Sequence, residues 1–153
     1  MLYFSSTRFP VKRIVPIVSY NICMRKDTRN WIELAEYDLE TARHMLETGR
    51  YLYVIFLCHL ALEKMLKALV TEATQAVPVK THDLIYLVKK SAIELPGTFL
   101  DFIGKINTAS IPTRYPEDLQ SALKDYPKPV AREYLRQTQE LIEWLKQHPS
   151  LSK

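Results

Sequence analysis

The chain reads as an all-α protein, an antiparallel up-and-down bundle of four to five helices. Three observations predict this. Apolar residues recur at intervals of three and four over residues 31–46 and again over residues 131–145. Between them, residues 51–73 are apolar on most sides, as a central helix would be. No strand-period run follows Met24, and the connections are mostly short, which makes sequential helices antiparallel neighbours.

Each element has its own warrant. The first helix carries Trp31, Leu34, Ala35, Asp38, Ala42, Met45 and Leu46 on one stripe; Thr28 or Asn30 can cap its start and Gly49 suits its stop. The second buries Leu52, Ile55, Phe56, Leu60, Leu62, Leu66 and Leu69, and Pro78 ends the connection after it. A third helix is predicted from Thr81 or His82, with Leu84, Leu87 and Val88 inward. Pro96-Gly97 is turn chemistry. A short fourth helix follows over residues 98–107, offering Phe99, Phe102, Ile103 and Ile106. Residues 108–126, with Pro112 and Pro116 and no sustained period, read as a long ordered loop. The last helix spans residues 127–147 and turns Ala131, Tyr134, Leu135, Thr138, Leu141, Ile142 and Leu145 inward.

At 153 residues the chain is one domain, large enough to bury about 70% of its unfolded surface without staples. Two cysteines, Cys23 and Cys58, make no disulfide framework, and a reducing cytoplasm is the natural setting. No apolar run approaches the roughly 18 residues of a membrane span. Residues 1–23 differ from the rest: they contain Pro10, Pro16 and a β-branched run from Val11 to Val18, and Lys12, Arg13 and Pro16 break any secretory pattern. This segment is expected to be an extension upstream of a translation start at Met24; a short strand or a flexible tail is the alternative. The formal charge of +4 sits at this end, because residues 1–30 hold six basic groups and one acid. The body is close to neutral and offers no extended basic face for a phosphate backbone.

Three pieces carry candidate chemistry. On the second helix His59, Glu63 and Lys67 share a face at i, i+4 and i+8, with Lys64 beside them. The order Glu63 then Lys67 favours a helical ion pair, which contributes only about 0.3–0.5 kcal/mol when exposed. The stripe either keeps an apolar helix paired with its neighbour or lines a groove where Lys64 and Lys67 face a phosphate or a partner's acid. Asp38 lies on the apolar stripe of the first helix. A buried carboxylate needs a partner, and Lys64 or Lys67 is the candidate, so Asp38 and Glu63 are expected to be structural polar residues. The second piece, Lys80-Thr81-His82-Asp83-Leu84, opens a helix where Thr81 and Asp83 suit capping and the helix dipole. In the third, Thr113-Arg114-Tyr115-Pro116, the proline pushes Tyr115 towards extended backbone. Arg114 either binds phosphate or carboxylate bidentately or anchors the loop. His44, His59, His82 and His148 show no metal-ligand spacing, and no nucleophile stands with a base. No catalytic residue, metal or cofactor is therefore assigned.

Taken together and in order, WIELAEYDLETARHML, YLYVIFLCHLALEKMLKALV, KTHDLIYLV, TRYP and a closing helix ending Trp144-Leu145 resemble the HEPN family (higher eukaryotes and prokaryotes nucleotide-binding domain). The resemblance spans nearly the whole domain, placed at residues 28–147. It implies a helical bundle, commonly a homodimer, often encoded beside a minimal nucleotidyltransferase as a toxin–antitoxin module. Toxin-like members carry an Arg followed four to six residues on by His; this sequence has no such pair, since Arg50 precedes His59 with eight residues between. Leu60 stands where the family often has Gln, and no nucleotidyltransferase signature is present, so any catalytic partner is a separate chain. The expected protein is a cytoplasmic binding module for a nucleotide or such a partner, acting through Lys64, Lys67, His82, Arg114 and Tyr115, with the base stacked on Tyr115. An RNA-cleaving toxin built from His82 and Arg114 across a dimer, and a purely structural dimer, are the alternatives.

Overall fold

The computed structural model describes residues 23–152, so the expectation for residues 1–23 lies, but for Cys23, outside the described residues. Among them the fold is all-helical, with four long helices and two short ones: α1 (Lys26–Glu47), α2 (Tyr51–Thr74), α3 (Leu84–Ser91), α4 (Gly97–Arg114), α5 (Leu119–Asp125) and α6 (Lys128–Lys146). The central helix is α2, which packs against each of the other five. Ile55, Leu62, Met65, Leu66 and Leu69 are buried on its several sides against Ala35 and Leu39 of α1, Leu84 and Leu87 of α3, Ile103 and Ile106 of α4, and Leu141, Ile142 and Leu145 of α6. A helix with neighbours on most sides has to be apolar on most sides.

The ends of α1 and α2 are tied by polar groups from across the hairpin. The α1 helix starts at Lys26, before the caps expected at Thr28 and Asn30. Its free N–H groups are met in part by α2: the Glu72 carboxylate accepts from the Arg25 N–H (3.1 Å) and from the Thr28 hydroxyl (2.7 Å). A carboxylate also suits the positive end of the helix dipole. With that partner in place Thr28 turns inward and is fully buried. At the other end Gly49 takes the left-handed conformation (φ 76°), and the Arg50 N–H closes back on the Met45 carbonyl at 2.8 Å.

The segment expected to be a loop is mostly helix. The α4 helix runs through Pro112 to Arg114, and the Tyr115 N–H still reaches the Ile111 carbonyl at 2.8 Å. A proline forfeits one N–H but leaves the turns around it intact when neighbours pack well, and here Ala109 and Thr113 are buried. The helix ends where Pro116 forces its predecessor out of the helical region: Tyr115 sits at φ −132°, ψ 68°. Asp118 then caps α5, its carboxylate accepting from the Ser121 N–H at 2.7 Å.

The Asp38 carboxylate on α1 meets the Lys64 ammonium on α2, with side chains 10% and 21% exposed. Removing one partner of a largely buried pair leaves the other charge unmatched. Asp38→Ala should therefore lower stability by ~2 kcal/mol, less than for a fully buried pair because water still reaches Lys64. Urea unfolding of Asp38→Ala, Lys64→Met and the double variant checks this; additive losses would mean no coupling.

Candidate functional site

The α2 stripe and the segment that leads into α3 bring a polar cluster together. Its hub is Glu63, 4% exposed. One oxygen accepts from the Lys67 ammonium at 2.6 Å, and the other faces His82 Nδ1 at 2.8 Å. Burial pushes the Glu63 carboxyl up, but hydrogen bonds and charge from Lys67 and His82 outweigh it and hold the group below its ordinary value. An ionised carboxylate only accepts, so it places a His82 proton on Nδ1; Nε2 faces away from it, an acceptor on the neutral ring and a donor on the imidazolium. The His82 side chain is 67% exposed, so that nitrogen is open to a ligand.

Lys67 is 8% exposed and lies with its ammonium 5.4 Å from the centre of the Trp31 ring, so α1 supplies a second surface for its charge. Lys64 is engaged with Asp38. Both lysines thus already hold carboxylates. Arg114 differs. Its guanidinium lies 4.7 Å from the centre of the Phe56 ring, and its buried Nε has no hydrogen-bond partner. Among the described residues no carboxylate pairs with it. Tyr115, next along, is 72% exposed.

One turn before Glu63 on α2 lies His59, fully buried, with neither ring nitrogen in hydrogen-bond geometry with a partner among the described residues. Burial pushes its pKa down to about 4; the Glu63 charge and the His82 backbone act against this, while the charges of Arg114 and His82 add to it. The ring is therefore neutral at pH 7. Arg114 lies over Phe56 and His82 against Glu63, two α2 residues seven apart and so on one face of that helix, about 10 Å apart along its axis.

The expected residues thus separate. His82, Glu63 and Lys67 form one connected set, Lys64 and Asp38 a second, while Arg114 and Tyr115 stand at the end of α4. Asn107 escaped sequence reasoning: its side-chain oxygen accepts from the Leu84 N–H at 2.9 Å, and no sequence signal marks a cap supplied from another helix. Phe56 and Trp31 read as core by periodicity, yet each is only partly buried and carries a cation on its face. No group of three or more His, Cys, Asp or Glu among the described residues could hold a metal ion. No helix among the described residues is long and apolar enough to cross a membrane.

The cluster makes the fold acid-sensitive. An unfolded His59 takes up a proton near pH 6.5 that the folded ring refuses until about pH 4. Stability should be unaffected above pH 6.5 and fall by about 1.4 kcal/mol per pH unit below it, about 3 kcal/mol in all. Glu63 acts in the same direction, because its depressed pKa gives stability above the unfolded carboxylate value that is lost as pH falls. Denaturant unfolding at steps from pH 7.5 to 4.5 measures the slope, which His59→Phe should flatten; an unchanged slope would remove His59 as its source.

The HEPN domain family model matches residues 28–148. Among solved structures, the protein TT1696 from Thermus thermophilus is similar in fold, with a TM-score of 0.69 and 24% identity over 80% of this chain and 98% of that one. ST0689, an archaeal HEPN homologue, is similar with a TM-score of 0.64 and 26% identity over 80% of this chain and 97% of that one. No curated protein matches the chain. The match over most of the chain and the shared bundle establish that the protein belongs to the HEPN domain family.

Proposed function

We propose that the protein is a binding module that takes the phosphate of a nucleotide at Arg114 and His82. The observation that carries this is the state of Arg114: a partly buried guanidinium, laid on Phe56, with no carboxylate of its own among the described residues. A guanidinium in that position presents a fork suited to phosphate or carboxylate. On the same face of α2, His82 held by Glu63 offers an Nε2–H to the phosphate when the ring is an imidazolium, and the exposed Tyr115 ring offers a face for a base. Lys64 and Lys67, already paired, add positive potential and hold Asp38 and Glu63 in place. In the same reading, a separately encoded minimal nucleotidyltransferase is the protein partner, in a toxin–antitoxin-like pair, and an acid of that partner or its nucleotide fills the Arg114 fork. The support for this partner is family membership.

A homodimer is part of the proposal. The α2 helix, buried almost everywhere, leaves Tyr53 56% exposed, with Phe56, Leu57 and Leu60 partly exposed along the same stripe. Such a stripe suits isologous pairing with a second copy. Light scattering should give twice the chain mass, reduced to one by Tyr53→Glu with Leu60→Gln; a monomeric wild type removes this part.

One observation favours a second reading. The Glu63–His82 contact is the arrangement in which a carboxylate orients an imidazole for base catalysis, and Arg114 could stabilise charge on a phosphate. An RNA-cleaving activity would use these groups rather than an Arg–His sequence pair. Calorimetry with ATP, GTP and short RNAs separates the readings. Binding without cleavage, weakened about 10- to 100-fold by Arg114→Ala, is the result expected of a binding module. RNA fragments lost on His82→Ala would select the enzyme, and silence towards every ligand would remove the anion site.

A further inference from the structure

We propose that Asn107 is the positioning residue that fixes the segment bearing His82 to the helix that ends in Arg114. The inference rests on the reading of those two groups as an anion site. Asn107 and Arg114 lie on one helix, α4, seven residues apart. Two turns bring them to the same face about 10 Å apart along the axis. From that face the Asn107 side chain reaches the segment that bears His82. Its Oδ1 accepts from the Leu84 N–H at 2.9 Å, and its Nδ2 approaches Asp83 Oδ1 at 3.4 Å.

Helix α3 does not need this contact merely to start. Asp83 caps it, accepting from the N–H groups of Ile85 (3.0 Å) and Tyr86 (3.2 Å), and the Thr81 hydroxyl accepts from the Asp83 N–H at 3.1 Å. What remains is the Leu84 N–H, in a residue that is fully buried. Asn107 satisfies it from a different helix, which converts a local cap into a tie between α3 and α4. The residues that follow His82 are thereby fixed to the helix that ends in Arg114, while Glu63 fixes the His82 ring from α2. An amide is the group that fits, because the oxygen must accept from Leu84 while the nitrogen faces the Asp83 carboxylate. A carboxylate at position 107 would keep the acceptor and repel Asp83.

Imidazole nitrogen NMR of His82 and calorimetry with pyrophosphate test this on wild type, Asn107→Ala and Asn107→Asp. Wild type should hold the His82 proton on Nδ1. Both variants should lose that bias and bind pyrophosphate about tenfold more weakly. Unchanged His82 spectra and affinity would overturn the proposal even if the melting temperature fell, because that pattern is a cap and nothing more. If wild type does not bind pyrophosphate, the anion site fails, and the His82 spectra alone decide the role of Asn107. Should Asn107→Ala not fold, Asn107→Ser gives the same readings.

Discussion

A carboxylate at the centre of an apolar helix has to be matched, and Glu63 sets that requirement for the whole bundle. It sits on α2 at 4% exposure, in the helix that every other helix packs against. An unmatched charge there would cost several kcal/mol. Its two oxygens are used by Lys67, from the next turn of α2, and by His82, from the start of α3. The first partner is local and needs no tertiary contact. The second demands that residues 80–83 fold back over α2, so satisfying one buried charge dictates how α3 is attached. Lys67 in turn rests on Trp31, and this draws α1 into the same arrangement.

The same logic recurs at a smaller scale along the α1–α2 hairpin. Three polar ties run between its helices or out from it: Glu72 to Arg25 and Thr28, Lys64 to Asp38, and Glu63 to His82. The first fixes the end of the hairpin and the second its middle. Between them the contacts are apolar and non-directional, so they set packing without setting register. The ion pairs and hydrogen bonds choose the register. Their individual contributions are modest where water reaches them, and their geometric selectivity matters more than their energy.

His59 and Arg114 both keep buried ring or guanidinium nitrogens without hydrogen-bond partners. A buried polar atom with no partner is uncommon and destabilising, and the charge of Arg114 acts on the His59 ring. Cys58, next to His59, shows the ordinary alternative: a fully buried thiol that burial pushes up to about 12 and that packs as an inert hydrophobe. A cation with no counter-charge among the described residues, on the same α2 face as a carboxylate-held imidazole, suits an anion, and that distinguishes this corner of the bundle from the other polar ties.

Periodicity alone determined the all-helical class, the spans of α2 and α6 to within a residue or so, and the inward face of α6, because burial repeats at the helical period whatever the neighbours are. The ordered motifs around Glu63, His82 and Arg114 likewise marked the family. The tertiary structure decided what lies beyond nearest neighbours in sequence. Residues 108–126 looked irregular because Pro112 and Pro116 break local propensity, yet packing of Ala109 and Thr113 carries α4 through the first proline. Thr28 looked like a cap and became a buried ligand of Glu72, because a group 44 residues away met the helix end instead. Lys64 and Lys67 were equivalent candidates for Asp38 until the crossing of α1 and α2 gave Asp38 to Lys64 and kept Lys67 for Glu63. Spacing along one helix specifies which side chains share a face; only the packing of a second helix against it specifies which of them finds a partner and which, like Arg114, is left open.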